Sequence, residues 1–117
     1  MPKKFIQSFK YAQLGASHAL RHERNLWIHL MIALAALTAA VALKVSALEL
    51  AIVVLTITLV VVTEMVNTAI EEVVNLAKPE SHPLAALAKN IAAGAALTAA
   101  IGAALVGLLI FLPRLMR

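Results

Sequence analysis

The chain has 117 residues, of which 62% are hydrophobic and 14% are charged, and its mean hydropathy is +0.92. A water-soluble domain of this length needs a far more polar surface, so the composition predicts a single integral-membrane domain over residues 1–117. The net charge of +4 favours anionic membrane lipids over nucleic acid as partners, and the absence of cysteine excludes disulfides and thiolate chemistry.

The N-terminal segment, at about residues 3–22, has the pattern of an amphipathic helix. Its apolar residues recur with a period near 3.6, whereas polar residues such as Lys10 and Arg21 lie on the opposite side. This pattern predicts a helix that lies in the membrane interface. His18 and His22 have the spacing of a zinc-binding pair, but no H-E-x-x-H motif or fourth ligand accompanies them, so a zinc site is not favoured.

Three longer apolar segments predict an all-α membrane protein with spans at about residues 27–43, 48–74 and 91–112. A short turn joins the first two spans, and a break with two prolines, at residues 78–83, precedes the third. Seven basic residues flank one predicted membrane face and three flank the other. The positive-inside rule therefore places the N-terminus and the 75–90 loop in the cytoplasm.

A stripe of polar residues runs along one face of the second predicted span. Glu64, Asn67, Glu71 and Asn75 are spaced by three, four and four positions, which places them on the same side of a helix. The stripe begins within the hydrocarbon region, where a charged side chain costs at least ~2.5 kcal/mol, and such a cost indicates a functional site. In an alternative interpretation, Glu71 and Glu72 face water and Glu64 is paired with a lysine.

The polar residues near the predicted cytoplasmic face supply the parts of a phosphoryl-transfer site. Glu23 and Glu71 together suit Mg²⁺, which takes one or two protein carboxylates and completes its octahedron with phosphate and water. Lys89 can pair with phosphate, and the deeper Glu64 can accept a proton from a lipid hydroxyl. These parts suffice because phosphoryl transfer depends mainly on positioning and charge neutralisation.

One stretch of the second span resembles the signature of the prokaryotic diacylglycerol kinase and undecaprenol kinase family, and it reads EMVNTAIEEVV from Glu64 to Val74. The resemblance covers essentially the whole chain, including residues 88–89 before the third span. Residues 23–29 and the loop at 82–84 look more like the undecaprenol kinase branch.

The resemblance implies a domain-swapped homotrimer in the bacterial inner membrane, with active sites between protomers at the cytoplasmic face. It also implies an ATP-dependent lipid kinase that uses Mg²⁺ and phosphorylates the hydroxyl of undecaprenol or diacylglycerol. It assigns proton transfer to Glu64 with support from Asn67, and metal binding to Glu23 and Glu71. The implied nucleotide-binding residues are Lys4, Tyr11, Glu23, Glu71, Glu80, Ser81, His82, Lys89 and Asn90. The implied lipid-substrate residues are Ser8, Gln13, Ser17, Leu20, Asn25, His29 and Glu64.

Two positions depart from the family pattern, because the chain has Asn75 and Asn90 where the family carries aspartate. Both changes remove negative charge beside the implied nucleotide site. A second interpretation is therefore a catalytically weakened or silent member that acts as a lipid-binding membrane trimer. A small transporter is disfavoured because the carboxylates cluster at one membrane face and do not thread the bilayer.

Overall fold

The computed structural model of the chain describes residues 2–78 and 80–117, and within these residues it has four α-helices. The helices are α1 (Pro2–His22), α2 (Arg24–Ala42), α3 (Ala47–Ala77) and α4 (Pro83–Leu115). Helices α2, α3 and α4 are long and apolar enough to cross a membrane, which confirms the predicted all-α class with three spans. Pro79, which belongs to the predicted break before the third span, lies outside the described residues.

Helix α3 is the centre of the packing. It packs most extensively against α4 and next against α2, whereas α2 and α4 barely touch each other. Six of the buried side chains of the three spans are alanine or valine, whose small size lets helices approach closely in lipid. They are Ala33 and Ala40 on α2, Val53 and Val60 on α3, and Ala92 and Ala96 on α4.

Contacts at the two ends of the bundle define an antiparallel order of α2, α3 and α4. His29 near the start of α2 meets Glu64 in the second half of α3, and Arg114 at the end of α4 meets Glu49 at the start of α3. We call the first region, comprising residues 23–30, 64–77 and 83–90, the site end, and the opposite one the far end. The predicted clustering of the polar stripe with the starts of the first and third spans therefore agrees with the fold.

Helix α1 contacts the bundle only through its last turns. All residues from Pro2 to Gly15 are exposed, including Phe5 at 76% and Phe9 at 67%, whereas Ala19 is buried. Such exposed apolar side chains fit a helix that lies in the membrane interface. The helix itself is confirmed, and its location in the interface stays a prediction.

At the far end, the first turn of α3 is stabilised by a side-chain cap. The Ser46 side chain accepts a hydrogen bond from the Glu49 amide at 3.1 Å, and the Glu49 carboxylate accepts one from the Ser46 amide at 3.0 Å. These reciprocal bonds form a capping box, which satisfies amides that have no partner within the helix. The same carboxylate pairs with Arg114 and thereby joins the start of α3 to the end of α4.

One row of small residues on α4 faces away from the other helices. Gly94, Thr98 and Gly102 are exposed, and a Cβ atom added at either glycine would meet nothing within 4 Å. The packing of the described chain therefore does not use this row.

The turn between α2 and α3 contains a strained lysine. Lys44 has a φ of 53°, and its amide donates to the Val41 carbonyl while the Val45 amide donates to the Ala40 carbonyl. This is the Schellman arrangement, in which glycine is the usual residue because the left-handed conformation crowds a Cβ atom.

We predict that Lys44→Gly raises the free energy of unfolding by about 0.5–1 kcal/mol, because glycine adopts this conformation without a steric penalty. Denaturation in mixed micelles measures the effect. Lys44→Ala is the matched control, since it removes the same charge and keeps the strain. Equal stabilities for the two variants would show that the backbone conformation is not the cause.

Candidate functional site

The deepest polar feature of the site end is a pair formed by Glu64 and His29. Glu64 is 8% exposed and is the buried charged residue of the described chain. Its Oε1 atom lies 3.1 Å from Nε2 of His29, which is half-buried on α2. The alternative that paired Glu64 with a lysine is therefore wrong, because the residue that faces it at this depth is a histidine.

The rest of the polar stripe becomes more exposed toward the end of α3. Asn67 and Glu71 are half-buried, whereas Glu72 and Asn75 are exposed. This gradient agrees with a stripe that rises from the interior of the bundle to its surface. The stripe interpretation is favoured over simple exposure of both glutamates, since Glu71 is partly covered.

Asn67 carries an unsatisfied polar atom. Its Oδ1 is buried, and no hydrogen-bond donor reaches it within the described residues. A buried acceptor of this kind costs about 1–3 kcal/mol. The position one turn beyond Glu64 thus offers an acceptor to a ligand or to another copy of the chain.

The predicted metal ligands come from two separate segments. Glu23 is the partly exposed residue between α1 and α2, and its extended backbone, with φ −107° and ψ 106°, ends one helix and begins the next. Its side chain makes no cap hydrogen bond, so its oxygens are not committed to the α2 terminus. Glu71 lies on α3 and Lys89 near the start of α4, both partly buried at the site end.

The donor set suits a hard cation that also binds a substrate. Within residues 2–78 and 80–117, no three His, Asp or Glu side chains gather into a closed metal cluster. Two carboxylates are what Mg²⁺ commonly takes from a protein when phosphate oxygens and water complete its octahedron. Glu23 and Glu71 are the two carboxylates predicted for such an open site, and their use of one cation stays a prediction.

The other predicted nucleotide residues are spread over α1 and the α3–α4 connection. Lys4 and Tyr11 are exposed on α1, and Glu80, Ser81 and Asn90 are exposed near the start of α4. The His82 ring accepts a hydrogen bond from the Leu84 amide at 3.1 Å and so caps α4. His82 therefore orders the loop in addition to any contact with a nucleotide.

The predicted lipid residues divide into two groups. Ser8, Gln13 and Asn25 are exposed, whereas Ser17, Leu20 and His29 are partly covered where α1 and α2 meet the bundle.

The neighbouring His18 and His22 rings are stacked, with centroids 4.2 Å apart, and His22 Nδ1 lies 3.0 Å from the His18 carbonyl oxygen.

An apolar groove between α2, α3 and α4 is a feature that the sequence does not reveal. Its volume is about 580 Å³, within the range of small-molecule sites. It runs from His29 near the site end to Phe111 near the far end. Its lining on α4 spans eleven steps from residue to residue, which correspond to roughly 16 Å of helix. His29 and Thr56 are the two lining residues with polar side chains. The groove exists because α2 and α4 both pack on α3 and leave a gap between themselves.

These features define a three-span membrane protein with a buried carboxylate–imidazole pair where an apolar groove meets a polar bundle end. The chain belongs to the prokaryotic diacylglycerol kinase family, whose profile matches residues 10–111. It is 46% identical over 112 residues to a diacylglycerol kinase of Synechocystis sp., and the aligned segment covers 95% of the chain and 64% of that relative. It is 40% identical over 112 residues to an undecaprenol kinase of Bacillus subtilis, covering 96% of the chain and 91% of that relative.

We predict that Asn67→Leu leaves the free energy of unfolding unchanged or raises it by about 1 kcal/mol, because it replaces an unsatisfied buried amide with an apolar group of similar size. Phosphoryl transfer should fall at the same time. Denaturation and transfer assays on the same preparation measure both effects. A large loss of stability would show instead that Asn67 Oδ1 has a structural partner in the assembled protein.

Proposed function

We propose that the protein is an ATP-dependent lipid kinase that phosphorylates the hydroxyl of undecaprenol or diacylglycerol at the cytoplasmic membrane face. The observation that carries the proposal is the placement of Glu64 beside His29 at one end of the apolar groove. A lipid alcohol has one polar reacting group and a long apolar chain. The buried carboxylate matches the polar reacting group, and the groove matches the apolar chain.

The proposed reaction begins with the acceptor hydroxyl at the site end and its chain in the groove. Glu64 accepts the hydroxyl proton while the lipid oxygen forms a bond to the γ-phosphorus of ATP. The bond from that phosphorus to the bridging oxygen breaks, and ADP leaves. A base near the hydroxyl typically contributes 10²–10⁴-fold to the rate.

The charge of the triphosphate is balanced from the more exposed part of the site. Lys89 lies at the start of α4 and can pair with the phosphate oxygens, while Glu23 and Glu71 would hold Mg²⁺. A cation held there would neutralise the negative charge that develops on the transferred phosphoryl group. Lys4, Tyr11 and the loop at 80–82 would lie against the rest of the nucleotide.

We place the site end at the cytoplasmic face of the bacterial inner membrane, where ATP is available. The distribution of basic residues supports this orientation, since seven of the ten lysines and arginines flank the site end. We also propose a homotrimer, as the family resemblance implies. Its support in the chain is the exposed row of Gly94, Thr98 and Gly102, a pattern that favours close helix contacts between copies.

A transfer assay tests the function directly. Purified protein in mixed micelles is given radiolabelled ATP, Mg²⁺ and either undecaprenol or diacylglycerol as the acceptor. Label in one of the lipids supports the kinase and identifies its preferred acceptor. Transfer to neither lipid by folded protein would contradict the proposal and favour a silent, lipid-binding trimer.

We predict that Glu64→Gln lowers phosphoryl transfer by about 10²–10⁴-fold while the protein stays folded, because the amide cannot accept the hydroxyl proton. Glu72→Gln is the matched control, since Glu72 is exposed on the same helix and should keep most of the parent rate. A Glu64→Gln variant with more than half of the parent rate would remove Glu64 from the mechanism.

We predict that Glu23→Ala and Glu71→Ala each abolish the thermal stabilisation that Mg²⁺-ATP gives to the parent. Mg²⁺-ATP stabilises the folded state more when it binds that state more tightly. The loss of a carboxylate that holds the metal therefore removes the shift in Tm. Glu72→Ala is the control, because Glu72 is an exposed neighbour of Glu71 that lies outside the proposed nucleotide site. If both variants gained as much Tm as the parent, the two carboxylates would not share one cation.

A further inference from the structure

Glu64 has one hydrogen-bonding partner for its carboxylate among the described side chains, and that partner comes from a different helix. The bond joins Oε1 of Glu64 to Nε2 of His29, at 3.1 Å and across 35 positions of sequence. The two side chains are 10% and 22% exposed. A bond between two covered groups restricts both rotamers, because neither side chain has water as an equal alternative.

The bond leaves the second carboxylate oxygen uncommitted. In the neutral imidazole one nitrogen donates and the other accepts, so an Nε2–H tautomer donates to Oε1 of Glu64. With Oε1 held in this way, Oε2 is the oxygen that can receive a proton. Correct placement of a reacting group matters greatly, since a displacement of about 1 Å can cost 10²-fold in rate.

His29 also lines the apolar groove, where it is one of two polar residues. The other is Thr56, whose hydroxyl donates to the carbonyl of Ile52 on its own helix at 2.7 Å. Thr56 therefore satisfies its polar atom locally, whereas His29 directs its nitrogen to Glu64. This difference assigns His29 to the carboxylate, and Thr56→Val is a suitable control for a measurement of the pairing itself.

We propose that His29 is a positioning residue for the lipid kinase reaction: its Nε2–H fixes the Glu64 carboxylate so that the free oxygen faces the acceptor hydroxyl at the end of the groove. The inference rests on the proposed function and adds a residue that acts through Glu64 and makes no bond to the nucleotide. Its contribution is to the rate of transfer and not to acceptor binding.

Four variants test the inference in the transfer assay: His29→Leu, His29→Gln, Thr58→Val and His29→Leu combined with Glu64→Gln. His29→Leu keeps an apolar lining and removes the donor, so kcat should fall about 10- to 100-fold with little change in the acceptor KM. His29→Gln places an amide N–H near the position of Nε2 and should restore most of the rate. Thr58→Val should behave as the parent, because Thr58 is exposed, lies outside the groove and donates its hydroxyl to the Val54 carbonyl on its own helix. In the Glu64→Gln background, His29→Leu should cause no further loss.

Three results of the transfer assay would contradict the inference. A parent-like kcat in His29→Leu would overturn the inference, and so would a rise in KM alone, which would make His29 a binding residue. A His29→Gln variant as slow as His29→Leu would show that the donated bond is not what matters.

A measurement that needs no activity separates this inference from the proposed function. All six acidic residues of the chain are glutamates, so ¹³C-carboxyl labelling of glutamate gives six side-chain signals, and Glu64→Gln identifies one of them. That signal should shift in His29→Leu and not in Thr56→Val. An unshifted signal would overturn the pairing even if the parent is an active kinase, whereas a shifted signal without transfer by the parent would contradict the function alone.

Discussion

Burial of an ionisable carboxylate among apolar helices is the constraint on which the arrangement of this bundle depends. An unpaired buried charge is strongly unfavourable, and it is tolerated when a hydrogen-bonding partner meets it. Glu64 meets this requirement only if α2 runs antiparallel to α3 with His29 at the same depth. In that register, Glu23 lies at the same bundle end as the more exposed part of the polar stripe, because it precedes His29 by six residues.

A second pair fixes the other half of the bundle and explains the groove. Arg114 meets Glu49, so α4 is joined to the start of α3, while His29 joins α2 to the later part of α3. Helices α2 and α4 are therefore each held against α3 and hardly against each other. Small residues face the gap, since Ala36 and Ala103 both line it, and short side chains cannot close it. A long apolar ligand can occupy space that the chain's own side chains leave open.

The helices and the polar stripe could be predicted from the sequence because each depends on local periodicity. Features that depend on helix register could not. The capping box of Ser46 and Glu49 is legible as S-x-x-E, but the partner of Glu49 requires the relation between α3 and α4. Lysine seemed a suitable partner for Glu64 by charge alone, whereas the depth of the site brings His29 to it. The roles of Glu23 and Glu71 stay predictions, because the two carboxylates come from separate segments and their use of one cation depends on how those segments approach each other.

The two departures from the family pattern differ from the carboxylates of the stripe in their exposure. Asn75 and Asn90 are both exposed, whereas Glu64 is buried and Glu71 is partly covered. The interaction between two unit charges at 4 Å is about 1 kcal/mol in water and about 4 kcal/mol at the effective dielectric of a protein surface. An aspartate at an exposed position would therefore contribute less to holding a cation than a glutamate at a covered position would. Each of the two asparagines therefore replaces a carboxylate at a solvated position, where the loss of a charge would weaken cation binding least, whereas Glu64 and Glu71 lie at covered positions.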